Sequence, residues 1–66
     1  MTVVVNGDAR EVSTKTTLAG LVAGLGLDRT VIAVELNREV VPKAAYAGRT
    51  LEPGDRIEIV TLVGGG

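Results

Sequence analysis

The last three residues of this 66-residue chain, Gly64, Gly65 and Gly66, offer a backbone and a carboxylate and nothing else. They follow an apolar, strand-like run, so the closing stretch reads VTLVGGG with no polar spacer. Glycine holds a shape poorly and fills no pocket, so such a tail contributes almost nothing to folding. Either it is idle or its backbone is its function. The side chains that usually carry chemistry are missing elsewhere too. Without cysteine there is no disulfide, no Fe–S cluster, no thiolate zinc site and no side-chain persulfide. Without histidine the commonest proton shuttle and metal ligand is gone. No catalytic residue and no metal site is therefore predicted, and a domain this small has no room for an enclosed active site. The charge of −1, with seven basic residues scattered along the chain, leaves no footprint for nucleic acid or an anionic membrane. No apolar stretch is long enough to span a bilayer and no basic leader opens the chain, so a cytoplasmic protein is expected.

The elements that must position the tail are legible in outline. TVVV at Thr2 to Val5 is a β-branched strand, and Asn6-Gly7 signals a two-residue hairpin returning through Ala9 to Ser13. Leu18, Leu21, Val22 and Leu25 recur at the spacing of one helical face, with Thr16 or Thr17 to cap the start and Gly26 to end it in a left-handed conformation. Gly20 and Gly24 each cost that helix roughly 1 kcal/mol against alanine, so it forms only by packing on something. TVIAVELN is a strand in which Ile32, Val34 and Leu36 alternate against Ala33 and Glu35. Pro42 breaks the pattern, and VVPKAAYAGRTL, from Val40 to Leu51, reads as an irregular crossover with one short helical turn around Lys43 to Tyr46. Glu52-Pro53-Gly54-Asp55 suits a type II turn into a final strand, RIEIVTLV. The order predicts an α+β fold: a mixed sheet of four to five strands, first and last strands parallel, with one helix on one face. The expected core is Val3, Val5, Leu18, Leu21, Val22, Leu25, Ile32, Val34, Ile57 and Ile59, with Tyr46 packing at an edge. One domain over residues 1–63 and a flexible tail over 64–66 are expected.

That order, with ELNREVVP in mid-chain and PGDRIEIVTLVGGG at the end, resembles the ubiquitin-like β-grasp sulfur carriers of thiamine biosynthesis, the ThiS family. The specific part is Gly54-Asp55, then Ile57-Glu58-Ile59-Val60, Val63 and a triple glycine read as the true C-terminus. Tyr46 stands where relatives often carry tryptophan. The resemblance implies a carrier and not an enzyme. The Gly66 carboxylate is adenylated by a ubiquitin-activating-like adenylyltransferase that uses ATP, Gly64 and Gly65 fit the tail into its channel, and the product is a thiocarboxylate. A sulfur-donor enzyme supplies the sulfur and a thiazole synthase consumes it; the carrier itself binds no cofactor. Side-chain-free residues suit the task, since three extended residues reach only about 10 Å into a water-poor site. In a chain without a thiol, the C-terminus is the only plausible attachment point for sulfur.

The last strand also raises a question of faces. If Ile57, Ile59 and Thr61 point to the helix, then Val60 and Leu62 point away, and Val4 on the first strand joins them. An exposed cluster of Val4, Val60 and Leu62 is read as a docking surface just upstream of the tail. The simpler alternatives are a covering loop or isolated exposed apolar residues. Arg38, Glu39 and Lys43 read as solvated charges. Two other functions share this type of tail: a carrier like the small subunit of molybdopterin synthase, and a ubiquitin-like modifier of other proteins. A plain binding module of the same fold would not need it.

Overall fold

The structure, a computed structural model, describes residues 1–62. Strands β1 (Thr2–Val5) and β2 (Asp8–Glu11) pair antiparallel about Asn6 and Gly7, whose φ angles of 49° and 86° lie in the left-handed region that the two types tolerate. β2 ends short of the expected Ser13. Val12 nevertheless stays attached: its N–H donates to the Met1 carbonyl at 2.8 Å, and its side chain packs partly buried on the core.

Helix α1 (Leu18–Gly24) starts at Thr17, whose hydroxyl accepts from the Gly20 N–H at 3.1 Å, and the chain leaves it through Gly26 at φ 73°. Seven residues are too few for a helix in isolation. Leu18, Leu21 and Val22 bury one face, and the N–H of Leu18 donates to the Arg49 carbonyl at 2.8 Å, which pins the first turn to the later crossover.

Strand β3 (Ile32–Leu36) follows, and here the structure departs from the irregular crossover read in the sequence. Asn37 and Arg38 adopt φ of 51° and 72°, turning the chain back so that β4 (Glu39–Val41) pairs antiparallel with β3. Pro42 ends β4 because it has no N–H to offer a further ladder bond. The short helical turn is present as a 3-10 segment at Lys43–Gly48. After it, Gly54 at φ 82° closes the turn Glu52 to Asp55, and β5 (Arg56–Thr61) runs through the middle of the sheet.

Strand order is β2-β1-β5-β3-β4, with β5 parallel to β1 and antiparallel to β3. The expected α+β arrangement, five strands with one helix on one face, is what forms. Val3, Val5, Leu18, Leu21, Val22, Ile32, Val34 and Ile57 are buried as expected, while Leu25 and Ile59 are only partly so. Leu36, Val41, Tyr46 and Leu51 complete the core. Tyr46 is a correction. It is 1% exposed and the largest fully buried side chain, because the 3-10 segment that carries it folds back against α1 instead of lying along an edge.

Candidate functional site

The tail glycines Gly64, Gly65 and Gly66, together with Val63, lie outside the described residues. What is described is the platform from which they leave. β5 is central, and its last residues are held from both sides. On the β3 side the Leu62 N–H donates to the Val31 carbonyl at 2.6 Å, one ladder step beyond the pairing of Ile32 with Thr61. On the β1 side the hairpin turns away at Asn6, and that residue's carboxamide continues the ladder in place of a strand. Its Oδ1 accepts from the Ile59 N–H at 2.7 Å and its Nδ2 donates to the Ile59 carbonyl at 3.3 Å. A second asparagine does the same where β5 begins: Asn37 Oδ1 accepts from the Arg56 N–H at 2.9 Å, and Nδ2 donates to Asp55 Oδ1 at 3.1 Å. Asp55 Oδ2 in turn accepts from the Glu52 N–H at 2.8 Å, which ties the glycine turn to the strand.

Asn6 therefore has two separable duties, a left-handed backbone and a two-point side-chain clamp. Asn6→Ala is expected to lower stability by about 1 to 2 kcal/mol, since it strains φ and leaves both Ile59 groups to water. Asn6→Gly relieves the φ term and should cost less than Asn6→Ala in denaturant unfolding. Equal losses would mean that the side-chain bonds alone set the cost.

The sheet face turned away from α1 carries the apolar patch. Val60 is 57% and Leu62 50% exposed. Register places Ala33 opposite Val60, and the backbone bond from Leu62 sets Val31 opposite Leu62. Val40, paired with Glu35 on the same face, is exposed at the diagonal position. Val4 does not join this cluster. It is half-buried and pairs with Arg56, four residues before Val60, which is about 13 Å along the strand. The alternation rule gave Val4 the correct face, but the register of a parallel pair over fifty residues apart is not written in either strand. Val31 and Ala33 could have been found by extending the β3 alternation backward; Val40 was hidden because β4 was unrecognised. Next to the patch, Glu35 and Glu58 stand directly opposite one another on neighbouring strands. Like charges so placed repel, which keeps that part of the face hydrated.

Among the described residues there is no covered interior site; what the arrangement can do chemically is hold, at the end of a central strand, the segment that follows it. Comparisons with known proteins point the same way. The sequence model of the ThiS family matches residues 3–66. The chain is 44% identical over 66 residues to a thiazole synthase from Paramagnetospirillum magneticum and 39% identical to one from Magnetococcus marinus. In each case the whole of this chain is covered but only 20% of the relative, so it spans about a fifth of the length of these curated relatives. The crystal structure of a thiamine biosynthesis protein, ThiS, from Geobacter metallireducens superposes with a TM-score of 0.85 at 30% identity, covering 100% of both chains. The fold is thus the ubiquitin-like β-grasp.

Proposed function

The chain belongs to the ThiS family, and we propose that it is a sulfur carrier of thiamine biosynthesis whose Gly66 carboxylate is the working group. The observation that carries this reading is a family match that runs through the glycine tail of a chain without a single cysteine. A terminal carboxylate, with a reference pKa near 3.3 to 3.7, is an anion at neutral pH, so it is a poor electrophile but a usable nucleophile toward phosphorus. An adenylyltransferase inverts that role. A carboxylate oxygen attacks the α-phosphorus of ATP, pyrophosphate leaves, and an acyl adenylate remains. A sulfur nucleophile delivered by a sulfur-donor enzyme then attacks the carbonyl carbon, the C–O bond breaks, and AMP leaves. One difficult substitution is divided into two easier ones. The thiocarboxylate hands its sulfur to a thiazole synthase. On this reading the chain is substrate and not catalyst, and ATP is bound by its partner in the cytoplasm.

Intact mass spectrometry after incubation with the adenylyltransferase, ATP and a sulfur donor tests the proposal. The expected product has one oxygen replaced by one sulfur, localised to Gly66. A protein modifier would give isopeptide conjugates instead, and an unchanged mass would remove the sulfur-carrier reading.

The apolar patch beside the strand end supplies the docking surface in this scheme, with Val60 and Leu62 at its centre. Val60→Asp is expected to weaken the complex with the adenylyltransferase at least tenfold while thermal unfolding stays at the wild-type value. A carboxylate in an apolar contact is desolvated without a partner, whereas on this solvent-facing position it costs the free chain little. Isothermal titration with parallel unfolding checks both halves. Undiminished binding would move the dock elsewhere.

A further inference from the structure

From the free edge of β5 we infer a second contact, one that reads backbone and not side chains: an extended segment of the adenylyltransferase adds to the sheet as a strand at Thr61, on the side where β1 has ended. This inference rests on the sulfur-carrier reading, and it names how the partner would grip the strand that leads to the tail.

Direction of the backbone groups is fixed by the register. Along β5 the groups of Arg56 and Leu62 face β3, as their bonds to Asn37 and Val31 show. The intervening odd residues face β1: the Ile57 carbonyl accepts from the Asn6 N–H at 2.8 Å, and both Ile59 groups bond the Asn6 carboxamide. Thr61 is the next residue in that series, so its N–H and C=O point to the β1 side as well. No described residue pairs with them, because β1 stops at Val5 and the hairpin carries the chain away. The Asn6 amide already stands in for a peptide one ladder step earlier, so a strand entering next to it continues an existing ladder instead of starting one.

Space for that strand exists beside the edge. A cleft lies on the helix side of β5, walled by Leu25, Leu27 and Ile59 and rimmed by Asn6, Arg10 and Thr61. Side chains of an added strand alternate between the two faces of the sheet. Every second one would enter this cleft, where an apolar side chain meets the leucines. The other free edges are blunted: β2 reads Asp8, Ala9, Arg10, Glu11, and β4 is three residues closed by Pro42. At Thr61 neither device is present. Main-chain pairing of this kind supplies affinity without demanding a particular sequence, and it would draw the strand end out straight.

Amide hydrogen exchange by NMR in the presence of excess adenylyltransferase and ATP tests the contact directly. In the free chain the Thr61 N–H is expected to exchange fast, and in the complex at least tenfold more slowly. Thr61→Pro is the matching variant, because it deletes a donor that no bond among the described residues uses and sits on a free edge where proline is tolerated. Its KM in pyrophosphate exchange should rise about tenfold, the equivalent of about 1.4 kcal/mol for one lost hydrogen bond, with thermal unfolding near the wild-type value. Unchanged exchange at Thr61 together with a wild-type KM would overturn the strand addition and leave the carrier reading standing. Failure of the wild-type chain to be adenylated at all would overturn both, and is told apart by that result.

Discussion

Deleting Gly66 is expected to reduce ATP-dependent pyrophosphate exchange by about a hundredfold or more, although Gly65 then ends in an equally good carboxylate. The reason is reach. One residue of extended chain spans about 3.3 to 3.6 Å, and a misplacement of about 1 Å can already cost around a hundredfold, because the enzyme's advantage lies in holding the reacting atoms at near-attack distance. Adding one alanine after Gly66 is expected to fail as well, since it displaces the carboxylate in the other direction and introduces a methyl group where the tail has none. Neither change should alter thermal unfolding, for glycines have no side chain to bury. Wild-type exchange in both variants would show that Gly66 is not the acceptor.

The second large effect belongs to the fold. Tyr46→Ala is expected to destabilise the chain by about 3 to 5 kcal/mol, the cost of emptying the site of a large buried aromatic. A domain of this size has about 3 to 10 kcal/mol in all, so the variant should be substantially unfolded at room temperature or close to it. Urea unfolding followed by circular dichroism measures this. The side chain is 1% exposed and links the 3-10 segment to α1, so its removal also frees the crossover that positions the start of the helix. A loss below about 1 kcal/mol would show that the segment repacks to fill the vacated site.

What could be read beforehand, and what could not, divides by the range of the interactions involved. The Thr17 cap, the Leu18–Leu21–Val22 stripe and the left-handed glycines at positions 26 and 54 are set within a few residues of chain, and all four stand as the spacing predicts. β4 is hard to read in the sequence because it is three residues long and runs into Pro42, yet the proline only ends a strand that Asn37 and Arg38 have already turned back. Tyr46 carries no periodic signal of its own, and its burial follows from where a 3-10 segment lands on α1. Of the platform, Val60 and Leu62 were legible by alternation along one strand. The separation of Val4 from them depends on how β1 slides against β5, and the Asn6 clamp depends on where β1 ends relative to Ile59. Both are long-range outcomes with no local mark.

The placement of β5 between β1 and β3 has a consequence for the order of events during synthesis. The strand at the centre of the sheet is the last of the five to be translated. At about 5 to 20 residues per second, β1 waits several seconds for its neighbour. Through that interval Val3, Val5, Ile32 and Val34 have no Ile57 between them, and the helix has only a divided sheet to rest on. A nascent or prematurely terminated chain is therefore an open, sticky hairpin and a loose β3–β4 pair, a substrate for chaperones and proteases. Only a chain that has reached β5 closes. Closure of the core therefore depends on Ile57, more than fifty residues after the β1 valines that it joins.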